Sequence, residues 1–290
     1  MGHDSSVLVG QRPVDKNLPK TVVIEPLHGW VPLNLRELWR YRDLLFFLAW
    51  RDITIRYKQT ILGASWAIIQ PFSTMVVFSI FFGFLIHVPS DGVPYPVFSY
   101  VALLPWQYFA TALSQAAESL VSNQALVSKI YFPRLIIPLA SIVPALLDFA
   151  IAFTIMILLF IVYHITPTWN VVWLPVFLLL AVITALAVGL WIAALNVLYR
   201  DFRYVVPFLI QLWLFASPVT YPVSVVPEQW RGLYSLNPLV GIIEGFRWAL
   251  LGTGNLSLPQ VIISAIAALL VLISGAYYFR RMERIFADVV

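Results

Sequence analysis

Between Asp148 and Arg200 the sequence holds no Asp, Glu, Lys or Arg, and between Lys58 and Asp91 it holds none either. A helix needs about 20 predominantly apolar residues to cross a bilayer, and both stretches are longer than that. A soluble domain carries charge on roughly a quarter of its residues. Here 61% of residues are hydrophobic and 11% charged, too few charges to clothe a globular surface. Lipid is therefore the solvent for most of this chain, and the expected fold class is an all-α integral membrane protein.

Six spans are expected, at about 62–86, 97–119, 135–163, 171–198, 205–220 and 259–279. Pro238 to Leu251 is apolar but too short to span comfortably, and prolines at 218, 222, 227 and 238 break helix continuity around it. That length suits a re-entrant or interfacial segment. Pro71 falls inside the first span, where it is expected to kink the helix.

Lys and Arg favour cytoplasmic loops. Arg36, Arg40, Arg42, Arg51, Arg56 and Lys58 precede the first span, Lys129 and Arg134 lie between the second and third, and Arg200 and Arg203 lie between the fourth and fifth. Arg280, Arg281 and Arg284 follow the last. The loops "HVPSDGVPYP" and "YHITPTWN" hold neither residue type. Six spans with both termini cytoplasmic satisfy this pattern, whereas a seventh would place the basic C-terminal end outside.

Residues 1–32 hold Gly, Pro, Lys and Asp but no apolar core of a signal peptide, and are expected to be a cytoplasmic tail. Residues 33–290 form the membrane domain. It opens with an amphipathic interface helix at about 33–52. Asn34 and Glu37 have the spacing of a capping box. Leu35, Leu38, Trp39, Leu45, Phe46 and Ala49 recur at helical spacing, with Trp39 and Trp50 as interfacial anchors.

Several chemistries are absent. The sequence has no cysteine, hence no disulfide, thiolate metal site or cysteine nucleophile. It has no G-x-x-x-x-G-K-[ST] loop to cradle ATP phosphates, no H-E-x-x-H and no G-x-S-x-G. No cofactor and no metal are expected in this chain. The net charge of +4 is modest and argues against nucleic acid as a partner. Asp148 lies about 13 residues into the third span, or roughly 20 Å of helix. It is either a protonated or hydrogen-bonded packing residue or a pore-lining or helix-coupling carboxylate. Glu244 and Arg247 stand three apart and face each other if helical. Trp66, Trp106, Trp191 and Trp213 fall within apolar runs. Their rings either pack against lipid and helices or line a path, since aromatic faces stack on sugar rings. Trp66, Gln70, Trp106 and Asp148 are the candidate pore lining.

Four blocks, in order, carry a family resemblance: "RDITIRYKQTILGASWAIIQP", "SNQALVSKIYFPRLIIP", "NVLYRDFRYVVP" and "LNPLVGIIEGFR". Together the order and topology resemble the membrane subunits of ABC-2 type ABC transporters, in the group that exports O-antigen, capsular polysaccharide or teichoic acid. The resemblance implies a homodimer in the bacterial cytoplasmic (inner) membrane, working with two nucleotide-binding ATPase subunits that hold ATP and Mg. It implies an ATPase-coupling segment at Asn123, Lys129, Phe132, Pro133 and Arg134. It implies short gate helices on the outer side, within about 221–251, including Asn237, Pro238, Glu244 and Arg247. The cargo implied is a lipid-linked glycan. Arg51, Arg56, Tyr57 and Lys58 at the junction with the first span are the candidate entrance for its pyrophosphate headgroup; anchoring topology and touching anionic lipid are the plainer roles for the same charges. Rival readings are an ABC-2 exporter of a lipid or small molecule, a proton-coupled secondary carrier and an integral-membrane glycosyltransferase.

Overall fold

The computed structural model describes residues 35–58, 63–129, 131–253 and 256–289. The expected tail, the capping residue Asn34 and the start of the first span at Leu62 lie outside these. The described residues contain helices and no strand. In chain order these are α1 (Leu35–Arg40), α2 (Arg42–Lys58), α3 (Gly63–Phe78), α4 (Tyr95–Ser122), α5 (Gln124–Lys129) and α6 (Ile136–Ser141). Then come α7 (Val143–Val162), α8 (Leu174–Leu198), α9 (Phe202–Phe215), α10 (Glu228–Tyr234), α11 (Pro238–Leu251) and α12 (Leu258–Val289).

Four helical segments are long and apolar enough to cross a membrane: Ser65–Leu85, Ile136–Val162, Trp169–Leu198 and Leu258–Arg284. They coincide with the first, third, fourth and last of the expected spans. Their outward faces carry Phe72, Val77 and Phe81 on the first, Ile157 and Ile161 on the second, and Ile262, Ile266 and Ile273 on the last, all exposed. Lipid is the solvent that accommodates such faces. The second expected span corresponds to α4, 28 residues and about 42 Å long. The fifth corresponds to α9, 14 residues and about 21 Å; it begins at Phe202 and stops at Phe215, short of the expected Thr220.

Several boundaries moved for local reasons. The interface helix is broken at Tyr41, whose N–H is shared between the carbonyls of Glu37 and Leu38, both at 3.2 Å. It then continues past Asp52 to Lys58, ending on Arg56 and Lys58, cations that suit a helix C-terminus. The third span is divided at Ile142, just before Pro144, which has no N–H to give the preceding turn. The helix of the first span, α3, runs through Pro71 and widens only later, into π-helical turns at Ser79–Leu85. The last helix runs to Val289, ten residues beyond its expected end.

Helix α4 is the centre of the bundle. Val97, Tyr100, Val101, Leu104, Phe109, Leu113 and Leu120 are buried along its length, and α3, α7, α8 and α11 pack around it. Helix α8 in turn lies between α4 and α12. In lipid, helices gain little from hiding apolar surface from each other, so close approach and interhelical hydrogen bonds hold them. Small residues permit the approach: a Cβ on Gly189 would stand 2.7 Å from Ala116, and one on Gly275 would stand 2.8 Å from the carbonyl of Ala187. Tyr100 donates to the carbonyl of Ala152 at 2.9 Å, and the Asn196 amide to that of Ala117 at 2.8 Å. The Gly275 contact is with backbone, which cannot swing aside. Gly275→Ile should therefore wedge α12 from α8 at a cost of about 1–3 kcal/mol, read as a lowered thermal midpoint in detergent.

Candidate functional site

Three clusters contain the residues singled out above. The first lies at the end of the bundle where α2, α5 and the last turns of α12 meet. Leu48, Val127, Phe132, Ile136, Ala194, Phe279 and Phe286 form a separate small core there. Arg51 donates to Asp52 at 2.9 and 2.7 Å and to the side-chain oxygen of Asn123 at 2.8 Å, joining α2 to the end of α4. Arg56 pairs with Asp148 of α7 at 2.7 Å, and Tyr57 donates its hydroxyl to the same carboxylate. Burial first, and then that hydrogen bond, push the Tyr57 phenol above its ordinary range, so it remains a donor. The Gln115 amide, oriented to accept from Arg56, donates to the carbonyl of Ser141 at 2.7 Å. Lys58 is exposed. Asp148 is thus an ion-paired carboxylate that ties α2 to α7. Arg51, Arg56 and Lys58 share this junction with the carboxylates of Asp52 and Asp148, and Glu118 lines the same groove as Arg51 and Arg56.

The segment after α4 divides into inward and outward residues. Asn123 closes α4, its amide bonded to the carbonyl of Ser119 at 2.8 Å. Lys129 and Tyr131 are exposed, whereas Phe132 and Pro133 are buried. The N–H of Arg134 donates to the Glu283 carboxylate at 2.8 Å, and its guanidinium donates to the Glu283 carbonyl. Glu283 also accepts from Arg280 at 2.9 Å, and Arg280 lies 3.9 Å from Glu37 of α1. Sequence reasoning missed Glu283. Its signal was a lone acid among Arg280, Arg281 and Arg284, one turn of helix from the first.

The second cluster is a cavity of about 410 Å³ between α3, α4 and α7, with Trp66, Gln70, Gln107, Tyr108, Arg56 and Asp148 in its wall. Of the candidate pore residues, Trp66, Gln70 and Asp148 meet here. Trp106 does not: it is buried and packs against Phe109 at 5.8 Å between ring centres. Trp191 stacks on Tyr278 at 4.3 Å and so joins α8 to α12.

The third cluster joins the end of α9 to α11. Asn237 caps α11 by accepting from the N–H of Leu239 at 3.1 Å, and Pro238 occupies the first turn, where no N–H is needed. The same Asn237 accepts from the Trp213 indole at 3.0 Å and donates to the carbonyl of Ala216 at 3.1 Å and to Ser217 at 3.0 Å. Two to three turns on, Arg247 pairs with Glu244 at 2.9 Å, as their spacing predicts. Arg247 is 2% exposed. It donates to the carbonyls of Val219 at 3.1 Å and Tyr221 at 3.3 Å, and stands 3.7 Å over the Phe98 ring. These two side chains fasten the turn after α9 onto α11 and α4. Among the described residues no group of three His, Cys, Asp or Glu could hold a metal ion.

Residues 43–251 match the family described as ABC-2 type transporter. The O-antigen export system permease protein RfbA of Myxococcus xanthus is 34% identical over 216 residues, covering 73% of this chain and 82% of that protein. A protein of the same name from Klebsiella pneumoniae is 27% identical over 249 residues, covering 86% of this chain and 95% of its own length. The polysialic acid transport protein KpsM of Escherichia coli is 26% identical over 206 residues, covering 69% and 78%.

Proposed function

The chain belongs to the ABC-2 type transporter family, and from that premise we propose that it is the membrane subunit of an ATP-driven exporter of a lipid-linked polysaccharide. The observation that carries the cargo is the run of relatives named for O-antigen export and polysialic acid transport, each aligned over more than two thirds of this chain. In this reading α3, α4, α6–α7, α8, α9 and α12 are six crossings with both ends in the cytoplasm. The short helices α10 and α11 form the outer gate and re-enter the membrane from outside. Two copies enclose the path, and two ATPase subunits supply the energy, because this sequence has no phosphate-binding loop.

The contacts support a route for the power stroke. An ATPase presses on α5, whose exposed Lys129 and the neighbouring Tyr131 face outward. Arg134 carries that displacement to α12 through Glu283, and Arg51 with Asn123 carries it to α2. Arg56 and Asp148 pass it from α2 to α7. The exposed cation Lys58 at this junction suits the anionic phosphate of a glycan carrier arriving from the same leaflet.

Deleting the gene should remove a polymer from the cell surface while lipid-linked polymer accumulates inside. An ATPase subunit should co-purify with the chain. Unchanged surface glycans after deletion would overturn the cargo, and a chain that transports without any ATPase would overturn the mechanism.

A further inference from the structure

We infer that the groove between the ends of α4 and α8 and the start of α9 is a binding site for a membrane phospholipid whose headgroup carries a phosphodiester and a primary ammonium together, as phosphatidylethanolamine does. The groove encloses about 450 Å³, in the size range of small-ligand sites. The charged residues in its wall are Glu118, Arg200 and Arg203. All three are exposed, and none forms an ion pair among the described residues. The N–H of Arg203 donates to the carbonyl of Arg200 at 3.4 Å, so the two arginines stand one turn apart. Like charges at that spacing repel, and an anion placed between them relieves the repulsion. Asp201, between them in sequence, is outside the wall and stands at the N-terminus of α9, which favours its charge.

On the other side of the groove the polar groups are acceptors. Glu118 also edges the neighbouring groove that holds Arg51 and Arg56, but those two arginines are paired with Asp52 and Asp148. Asn196 is 4% exposed, and its NH2 is engaged with the carbonyl of Ala117 at 2.8 Å. Its side-chain oxygen, in the groove wall, accepts from no donor among the described residues. Buried amide oxygens normally have a donor. An ammonium supplies several N–H groups and can donate to Glu118 and Asn196 at once, while phosphate oxygens accept from Arg200 and Arg203.

The groove also lies at the right depth. The apolar segment of α8 ends at Leu198, two residues before Arg200. One turn past Arg203 the exposed apolar face of α9 begins, with Val205, Phe208, Leu209 and Leu212, along which acyl chains can lie. Tyr199 and Tyr204, both exposed, flank the arginines as headgroup-level aromatics do. A choline headgroup has no N–H for Glu118 and Asn196, and a glycerol headgroup brings no cation. The pyrophosphate of a glycan carrier brings none either, which sets this site apart from the cargo.

Native mass spectrometry of the complete complex with its ATPase tests the site. The complex is stripped of phospholipid in detergent and mixed with equimolar dioleoyl phosphatidylethanolamine, phosphatidylcholine and phosphatidylglycerol. The ethanolamine lipid should be retained over the choline lipid by about tenfold, the worth of one charge-assisted hydrogen bond. Arg200→Gln with Arg203→Gln should abolish that retention. Glu118→Gln should erase the preference for ethanolamine over choline and admit the glycerol lipid. Arg40→Gln, exposed on α1, should leave the preference unchanged. Glycerophosphoethanolamine at the same concentration should fail to displace the lipid, because it lacks the chains that lie on α9. Equal retention of the three lipids by the native chain, or no effect of the double arginine change, would overturn the site. Preference for phosphatidylglycerol would overturn the paired-charge headgroup, and displacement by glycerophosphoethanolamine would overturn the membrane as its source.

Discussion

Arg247→Leu should reduce the folded protein recovered from membranes to a small fraction of the wild-type yield. Arg247 is the largest fully buried side chain and the only cation reaching both Glu244 and the turn after α9 among the described residues. Removing it leaves a carboxylate without its partner and two backbone carbonyls without donors. Breaking a buried pair by deleting one partner costs about 3–5 kcal/mol, a large share of the stability of most proteins. Arg247→Lys should recover part of the loss, because an ammonium keeps the charge but not the fork that serves Glu244, Val219 and Tyr221 together. Arg247→Leu combined with Glu244→Leu should also be milder than Arg247→Leu alone, since no charge is stranded. Fluorescence-detected size-exclusion after graded heating measures all three. Equal stability of Arg247→Leu and wild type would mean that the pair holds nothing.

Breaking the Arg56–Asp148 ion pair should uncouple rather than unfold. Arg56→Leu and Asp148→Leu each strand a charge where α2 meets α7, and each should lower export, read as surface polymer, by tenfold or more. Basal ATPase activity of the complex should persist. The double neutral variant should be more stable than either single one, because replacing both members of a pair is far less damaging than removing one. The reversed pair, Arg56→Asp with Asp148→Arg, should restore more export than the sum of its single changes allows, the mark of direct coupling. Tyr57→Phe, which removes one donor from the same carboxylate, should have a smaller effect in the same direction. If the double changes were simply additive, the contact between α2 and α7 would have no part in transport.

How much of this was legible in the sequence depended on distance along the chain. The long apolar runs were visible because a bilayer demands them residue after residue. Glu244 and Arg247 were visible as partners because one helical turn separates them. Arg56 and Asp148 were not, since the pair is made across two helices distant in sequence. The same holds for Arg134 and Glu283. Helix α4 is the instructive case. It is less apolar than the four segments that satisfy span criteria, yet it is the most buried. Hydropathy reports which solvent a residue prefers, whereas position at the centre follows from what packs around it, and Tyr, Gln and Ser can be buried where neighbouring carbonyls accept from them. Trp106 follows the same logic: an indole reads alike in a sequence whether it lines a path or fills a core.

Helix α12 has a consequence of its own. It is 32 residues long, about 48 Å, against a hydrocarbon layer of about 30 Å. Its first turns are bonded to the cluster around α11, where Ser264 donates to the carbonyl of Ser235 at 2.9 Å and accepts from the N–H of Gly241 at 3.2 Å. Its last turns hold Arg134. One continuous rod therefore joins the α11 cluster to the Arg134 cluster, and linkage between its ends works in either direction. If, in the proposed topology, nucleotide at one face shifts α10 and α11, then anything that holds these helices in place must change nucleotide affinity by the same factor. An antibody fragment or a crosslink applied to α10 and α11 from outside the cell would then act as an allosteric effector of an ATPase it never meets.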